Sequence, residues 1–132
     1  MRSFRVKTRK RCELVDITEE AAEAVRESGV KDGIVIVYCP HTTAGITINE
    51  NADPAVCRDI LMKTSKVIEE GDPGYRHSEG NSDSHVKSSL VGASETIIIE
   101  NGRLMLGTWQ GIYFCEFDGP RSRSFFVKII EG

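Results

Sequence analysis

The alternation of apolar and polar positions predicts strands at both ends of the chain. Residues 3–11 place Phe4 and Val6 on one face and basic side chains on the other, which is the two-residue period of a strand. The β-branched run 33–39 is typical of a strand covered on both faces, and 42–49 alternates again. The last third predicts short strands at 96–99, 104–106, 112–117 and 125–130, with a hairpin turn at 101–102.

Helix signals separate these strands. Residues 16–28 repeat apolar side chains four apart and are followed by Gly29, while Asp53 and Pro54 form a typical helix start. A third, shorter helix is predicted to be capped by Ser82 or Asp83 and to end at Gly92. Strands in the majority, with about three helices grouped between them, predict an α+β fold.

Composition narrows the class of protein. The chain has 132 residues, 39% of them hydrophobic and 28% charged, and a net charge of −3, so we expect one domain over 1–132 with a core of its own. Because the net charge is mildly negative, we expect the protein to bind neither nucleic acid nor a membrane surface. Four widely spaced cysteines, with no Cys-x-x-Cys pair and no leader-like N-terminus, predict reduced thiols and a cytoplasmic location.

The first 11 residues are strongly basic. They hold six Lys or Arg and no acid, so the acidic excess lies in the rest of the chain. One interpretation is a basic stripe for an anion. The other is an edge strand whose cations discourage pairing with another strand.

Three histidines are the candidates for metal chemistry. His41 follows a predicted buried strand, His77 lies in a polar loop, and His85 lies in the first turn of the third helix. Three imidazoles from separate elements suit Zn²⁺ with an open fourth position. The alternative is that each histidine is a surface or hydrogen-bonded side chain with no metal.

The segment 75–85 is the densest polar stretch and leads into a helix N-terminus. The free N–H groups there favour a phosphate or carboxylate, helped by nearby hydroxyls and cations: Arg76, Ser82, Ser84 and Lys87. Asp83 is an acid–base candidate. The alternative is that Ser and Asp residues only cap their own helix. No phosphate-binding Gly-rich loop, nucleotide fingerprint or serine-hydrolase motif is present.

The segment 109–117 carries bulky residues on both faces of a predicted strand. Such a strand must be covered on its second side. A neighbouring subunit and a helix of the same chain are both open as the covering element.

Three blocks in order resemble the YjbQ-like family of small proteins. They are His41 to Asp53, Gly80 to His85, and residues 106–112 with Glu116 to Arg121. The similarity covers essentially the whole chain. Ser84 is the one visible departure, because alanine is commoner there in relatives.

The resemblance implies a β-sandwich-like arrangement of mixed or antiparallel sheets and assembly as a homotrimer. It implies a secondary thiamine-phosphate synthase activity, which joins a pyrimidine diphosphate to a thiazole phosphate and releases pyrophosphate. By motif position it implies catalytic roles for His41, His85 and Asp83. We further expect ligand contacts from Thr43 and Asn81 and a divalent metal on His41, His77 and His85. Zinc suits the imidazoles, while magnesium suits a diphosphate substrate.

Overall fold

The computed structural model describes residues 1–132. Its three helices are α1 (Thr18–Ser28), α2 (Pro54–Val67) and α3 (Ser82–Val91), and none is long and apolar enough to cross a membrane. The eight strands are β1 (Arg2–Lys7), β2 (Glu13–Asp16), β3 (Gly33–Tyr38), β4 (Ala44–Glu50), β5 (Ser94–Glu100), β6 (Arg103–Leu104), β7 (Gln110–Glu116) and β8 (Ser122–Glu131).

Two antiparallel sheets form the frame. The larger has the strand order β1-β8-β3-β5-β6, and the smaller has the order β2-β7-β4. The predicted α+β, sandwich-like fold in a single domain is therefore confirmed. One apolar cluster joins the two sheets and α1, and includes Val25, Val35, Ile46, Ile99, Ile112, Phe114 and Phe125.

Strand β7 is buried on both faces, as its bulky residues predicted. Ile112 and Phe114 belong to the core between the sheets. Tyr113 and Cys115 face the other way, where Cys57 of α2 and Val91 of α3 pack against them. Helices of the same chain therefore contact the second face of β7.

The helix ends follow local chemistry. Gly29 takes a left-handed conformation, with φ of 71°, at the end of α1. The carboxylate of Asp53 accepts the Ala55 N–H at 2.9 Å at the start of α2, directly before Pro54. For α3 the predicted cap was wrong: Asn81 is the N-cap, and Ser82 and Asp83 are the first helical residues.

Strand β1 lies at the edge of the larger sheet. It ends at Lys7, four residues earlier than the pattern predicted, where its pairing with β8 also ends. Val6 is buried, whereas Arg5 and Lys7 are exposed on the outer face. Three of the six basic residues, Arg2, Arg5 and Lys7, thus lie on an edge strand, where charge discourages pairing with another strand, while the other three follow its end.

Candidate functional site

His77 and His85 meet beside the N-terminus of α3. Their ring centroids are 5.3 Å apart, and the rings are nearly perpendicular. A pocket of about 360 Å³ forms around them, lined by Tyr75, His77, Ser82, His85 and Val86, and we call it the imidazole pocket. A neighbouring depression of about 600 Å³ shares Tyr75 and His77 with it and is bordered by the acidic residues Glu70 and Asp72.

His41 lies elsewhere in the chain, just after β3. Its Nε2 accepts the Ser124 N–H at 3.0 Å, and its ring meets the edge of Phe114. Burial, and then the positive charge of Arg123, lower the pKa of His41, so the ring is neutral at pH 7. A neutral ring that accepts at Nε2 carries its proton on Nδ1 and keeps no free lone pair for a metal.

A three-imidazole centre does not form within one chain. No group of three or more His, Cys, Asp or Glu side chains could hold a metal ion. His77 and His85 are brought together, and His41 is not with them. Completion of the site by a second copy of the chain stays a prediction.

The first turn of α3 presents free N–H donors. Ser84 and His85 donate to the Asn81 carbonyl, but the Ser82 and Asp83 N–H groups have no acceptor in the chain. The Asn81 side chain makes no capping bond and donates instead to Asp118 Oδ2 at 2.7 Å. Ser82 lines the imidazole pocket, so its N–H group lies at the pocket wall, where the helix dipole favours an anion, whereas Asp83 is fully buried.

A buried network holds this helix end in place. The fully buried Asp83 carboxylate accepts two bonds from Arg11, each 3.0 Å, and one from Lys87 at 3.2 Å; we call these three residues the α3 ion-pair network. Burial raises the pKa of Asp83, but the bonds from Arg11 and Lys87 outweigh it and leave the pKa below its usual value. Asp83 is therefore a charged, fully paired anchor, and the structure gives no support for its predicted acid–base role.

Three predicted ligand contacts also lie in the interior. The Ser84 hydroxyl donates to the Phe117 carbonyl at 2.6 Å, and Lys87 is 3% exposed. Thr43 is buried and accepts a bond from Arg123 at 2.8 Å. These side chains are thus paired or buried within the chain, and their role as direct phosphate contacts stays a prediction. Among the predicted anion ligands, Ser82 lines the pocket and Arg76 is exposed on the loop before α3.

A second buried network was missed by sequence reasoning. Glu116 accepts from Arg123 Nε at 2.9 Å, from the Thr8 hydroxyl at 2.8 Å and from the Asp118 N–H at 3.0 Å. Burial raises the pKa of Glu116, and these bonds lower it further than burial raises it. The sequence did contain a signal for this network. Glu116 is a charged residue inside a predicted strand, directly between Cys115 and Phe117.

Relatives match nearly the full length of this chain. The model of the family described as UPF0047 protein YjbQ-like matches residues 2–132. A UPF0047 protein of Methanocaldococcus jannaschii is 61% identical over 127 residues, covering 96% of this chain and 91% of that protein. The UPF0047 protein YugU of Bacillus subtilis is 54% identical over 130 residues, covering 98% of both.

Solved structures give the same result. A crystal structure of an uncharacterized conserved YjbQ/UPF0047 protein from Clostridium acetobutylicum matches with a TM-score of 0.96 at 59% identity, covering 98% of this chain and 100% of that one. A YbjQ-like protein of unknown function from Sulfolobus solfataricus matches with a TM-score of 0.95 at 34% identity, covering 99% and 96%. This chain belongs to the YjbQ-like (UPF0047) family.

Proposed function

We propose that this protein is an enzyme that acts on a phosphorylated small molecule in the imidazole pocket. The observation that carries the proposal is the shared wall of that pocket. There Ser82, whose N–H group has no acceptor in the chain, lines the same cavity as His77 and His85. Donors at a helix N-terminus favour phosphate, and paired imidazoles supply protons or metal ligands at neutral pH.

The leading candidate reaction is thiamine-phosphate formation. The C–O bond between a pyrimidine methylene carbon and its diphosphate breaks, pyrophosphate leaves with the electron pair, and a C–N bond forms to the thiazole nitrogen. The demand on the protein is to stabilise charge on the departing pyrophosphate and to exclude water. In this proposal the Ser82 N–H group and Arg76 bind its oxygens, and His77 and His85 donate hydrogen bonds to it.

The assembly part of the proposal is a homotrimer. The outer face of the larger sheet carries Ile34, Ile98 and Ile130 side by side, and Ile98 is 62% exposed. Tyr38 and Phe126 stack on the same face at 6.3 Å. An apolar patch of this kind on a sheet is typical of an interface. For zinc, a side chain of a second copy other than His41 would have to join His77 and His85, because His41 Nε2 is already bonded to the Ser124 N–H group.

The second candidate is a trimeric protein that binds a metal or an anion without turnover. It is favoured by the withdrawal of Asp83 into the α3 ion-pair network, which leaves the imidazole pocket without its predicted acid–base carboxylate. Both candidates place the ligand in the same pocket, and they differ only in turnover.

The test is to measure consumption of the pyrimidine diphosphate with purified protein and the variants His77→Ala and His85→Ala. We expect a loss of about a hundredfold in rate, in the range attributed to acid–base groups. Ser89→Ala, an exposed change on the same helix, is the control. An unchanged rate in folded His85→Ala protein would remove the pocket from the chemistry. Pyrophosphate binding without turnover in the parent protein would select the second candidate.

Two further measurements separate the parts of the proposal. Elemental analysis of protein purified without chelators or an affinity tag should find a stoichiometric metal, and trace metal would contradict the zinc proposal. Light scattering at micromolar concentration should give the mass of a trimer, and the mass of a monomer would contradict the assembly.

A further inference from the structure

A groove opens between α1 and the hairpin turn that precedes β6. Its volume is about 450 Å³, and one wall comes from α1 while the other comes from residues 101–106. A concave surface of this size with an apolar lining is typical of a site for a small molecule. Four apolar side chains, one of them buried and the others half-buried, form much of its lining: Val25, Ala22, Leu104 and Leu106.

The charged side chains that line the groove are both cationic. Arg26 of α1 and Arg103 of β6 line it from opposite walls, and no acidic side chain does. Arg26 contacts Glu19 at 3.8 Å, but both side chains are more than half exposed, so this ion pair is weak. Arg103 is exposed and has no ion-pair partner in the chain. The acidic side chains of α1 and Glu100, the strand partner of Arg103, lie outside the lining, so the groove favours an anion.

The turn at the edge of the groove is held in place by the chain. Asn101 and Gly102 both take left-handed conformations, with φ of 52° and 74°. The Gly102 N–H donates to the Lys31 carbonyl at 3.0 Å, which ties the turn to the segment that follows α1. The Lys31 side chain lies against the same turn, because a Cβ at Gly102 would be 3.3 Å from its Nζ. The two walls are therefore joined, and a third cation lies beside them.

We propose that this groove binds an anionic amphiphile, namely a carboxylate with an unbranched apolar chain of medium length. Guanidinium groups bind a carboxylate through charge-assisted hydrogen bonds, and Arg26 and Arg103 supply them from the two walls. The apolar chain covers the half-buried lining and removes its surface from water. Exposed ion pairs contribute little alone, so affinity needs both parts of the ligand. The groove shares no lining residue with the imidazole pocket and does not depend on the proposed function.

The experiment titrates the full chain with octanoate, at concentrations where octanoate is monomeric, while the amide resonances are followed by nuclear magnetic resonance. We expect saturable shifts at Ala22, Gly102 and Leu104. Acetate lacks the apolar chain and octanol lacks the charge, so each should bind at least about tenfold more weakly than octanoate.

Variants separate the two parts of the site. Arg26→Gln and Arg103→Gln should each weaken octanoate binding by about tenfold. Ala22→Leu fills the groove without changing its charge and should weaken binding by about tenfold or more. Arg58→Gln removes an exposed arginine of α2 outside the groove and is the matched control. None of the four positions is buried, so circular dichroism should show an unchanged fold in each variant.

Several results would overturn the proposal. One is a set of shifts confined to the outer face of the larger sheet or to the imidazole pocket, and another is acetate that binds as tightly as octanoate. Equal affinity in Arg103→Gln and Arg58→Gln would remove the guanidinium contact. A smaller assembly of Ala22→Leu in light scattering, with no octanoate binding to the parent protein, would show that a second copy of the chain covers the groove instead.

Discussion

The inner and outer sides of the chain at the start of α3 differ in how their polar side chains are paired. Asp83 on the inner side is fully buried and bonded to Arg11 and Lys87. His77 on the outer side has only the exposed Glu79 at 3.7 Å as a charged partner, and with His85 it lines an open pocket. The start of α3 thus combines a buried carboxylate that is fully paired with two imidazoles that are open to a ligand.

This difference teaches where function should be sought. A buried charge must be paired, so a charged residue that is paired in the interior indicates a role in stabilising the fold. A polar group at a pocket wall with no protein partner is available to a ligand. By this criterion Ser82, His77 and His85 belong to the site, and Ser84 and Lys87, which are buried and paired, belong to its support.

The largest effect on stability is expected from removal of the Asp83 carboxylate. Asp83→Ala leaves Lys87 buried without its counter-charge, so we expect the free energy of unfolding to fall by about 3–5 kcal/mol. Glu70→Ala is the matched control, because Glu70 also pairs with Arg11 but is exposed, and its loss should cost about 0–1 kcal/mol. Urea denaturation measures both. Equal effects of the two changes would contradict the account.

A backbone contact gives the next largest effect. A Cβ at Gly45 of β4 would lie 2.5 Å from the Gly92 carbonyl oxygen at the end of α3. Gly45→Ala should therefore lower the free energy of unfolding by about 1–3 kcal/mol. Gly71 has nothing within 4 Å of such a Cβ, so Gly71→Ala should change stability by less than about 0.5 kcal/mol. Thermal unfolding of both variants checks this, and a neutral Gly45→Ala would show that the helix end shifts freely.

A structural feature could be predicted from the sequence when it depends on residues that are close together along the chain. The start of α2 at Asp53 and Pro54 and the end of α1 at Gly29 were predicted correctly, because each depends on neighbours along the chain. The proximity of the His77 and His85 rings also fits their short separation along the sequence. The burial of Asp83 was not predictable, because Arg11 reaches it from 72 positions away in the sequence.

The separation of His41 from His77 and His85 within one chain has the same origin. His41 was grouped with the other histidines because all three lie in polar surroundings. Its Nε2 in fact accepts the N–H of Ser124, 83 positions away, and only the completed larger sheet brings that group within reach. Sequence spacing carries no information on such a partner.

Low pH should remove the stability that the buried carboxylates Asp83 and Glu116 contribute. The pKa values of Asp83 and Glu116 lie below their usual values near 4, so the unfolded chain binds protons that the folded chain does not. The stability that they contribute is therefore present at neutral pH and is lost as pH falls below about 4 through the folded pKa values. Urea titrations at a series of pH values measure this loss. Asp83→Asn should show a shallower dependence, and an unchanged slope would contradict the assignment.

The smallest effects on stability are expected on the outer side. His77→Ala and His85→Ala remove side chains that line the pocket, so each should change the free energy of unfolding by about 0.5 kcal/mol or less. The same variants should weaken pyrophosphate binding in calorimetric titrations. Strong destabilisation with unchanged binding would mean that the imidazoles support the fold and do not bind the ligand.

The central claim is that an anion binds where α3 begins, beside the two imidazoles. The most direct test is titration with inorganic pyrophosphate while the amide resonance of Ser82 and the ring resonances of His77 and His85 are followed by nuclear magnetic resonance. The account predicts saturable shifts at these three residues. Shifts confined to the basic outer face of β1, at Arg5 and Lys7, would contradict it.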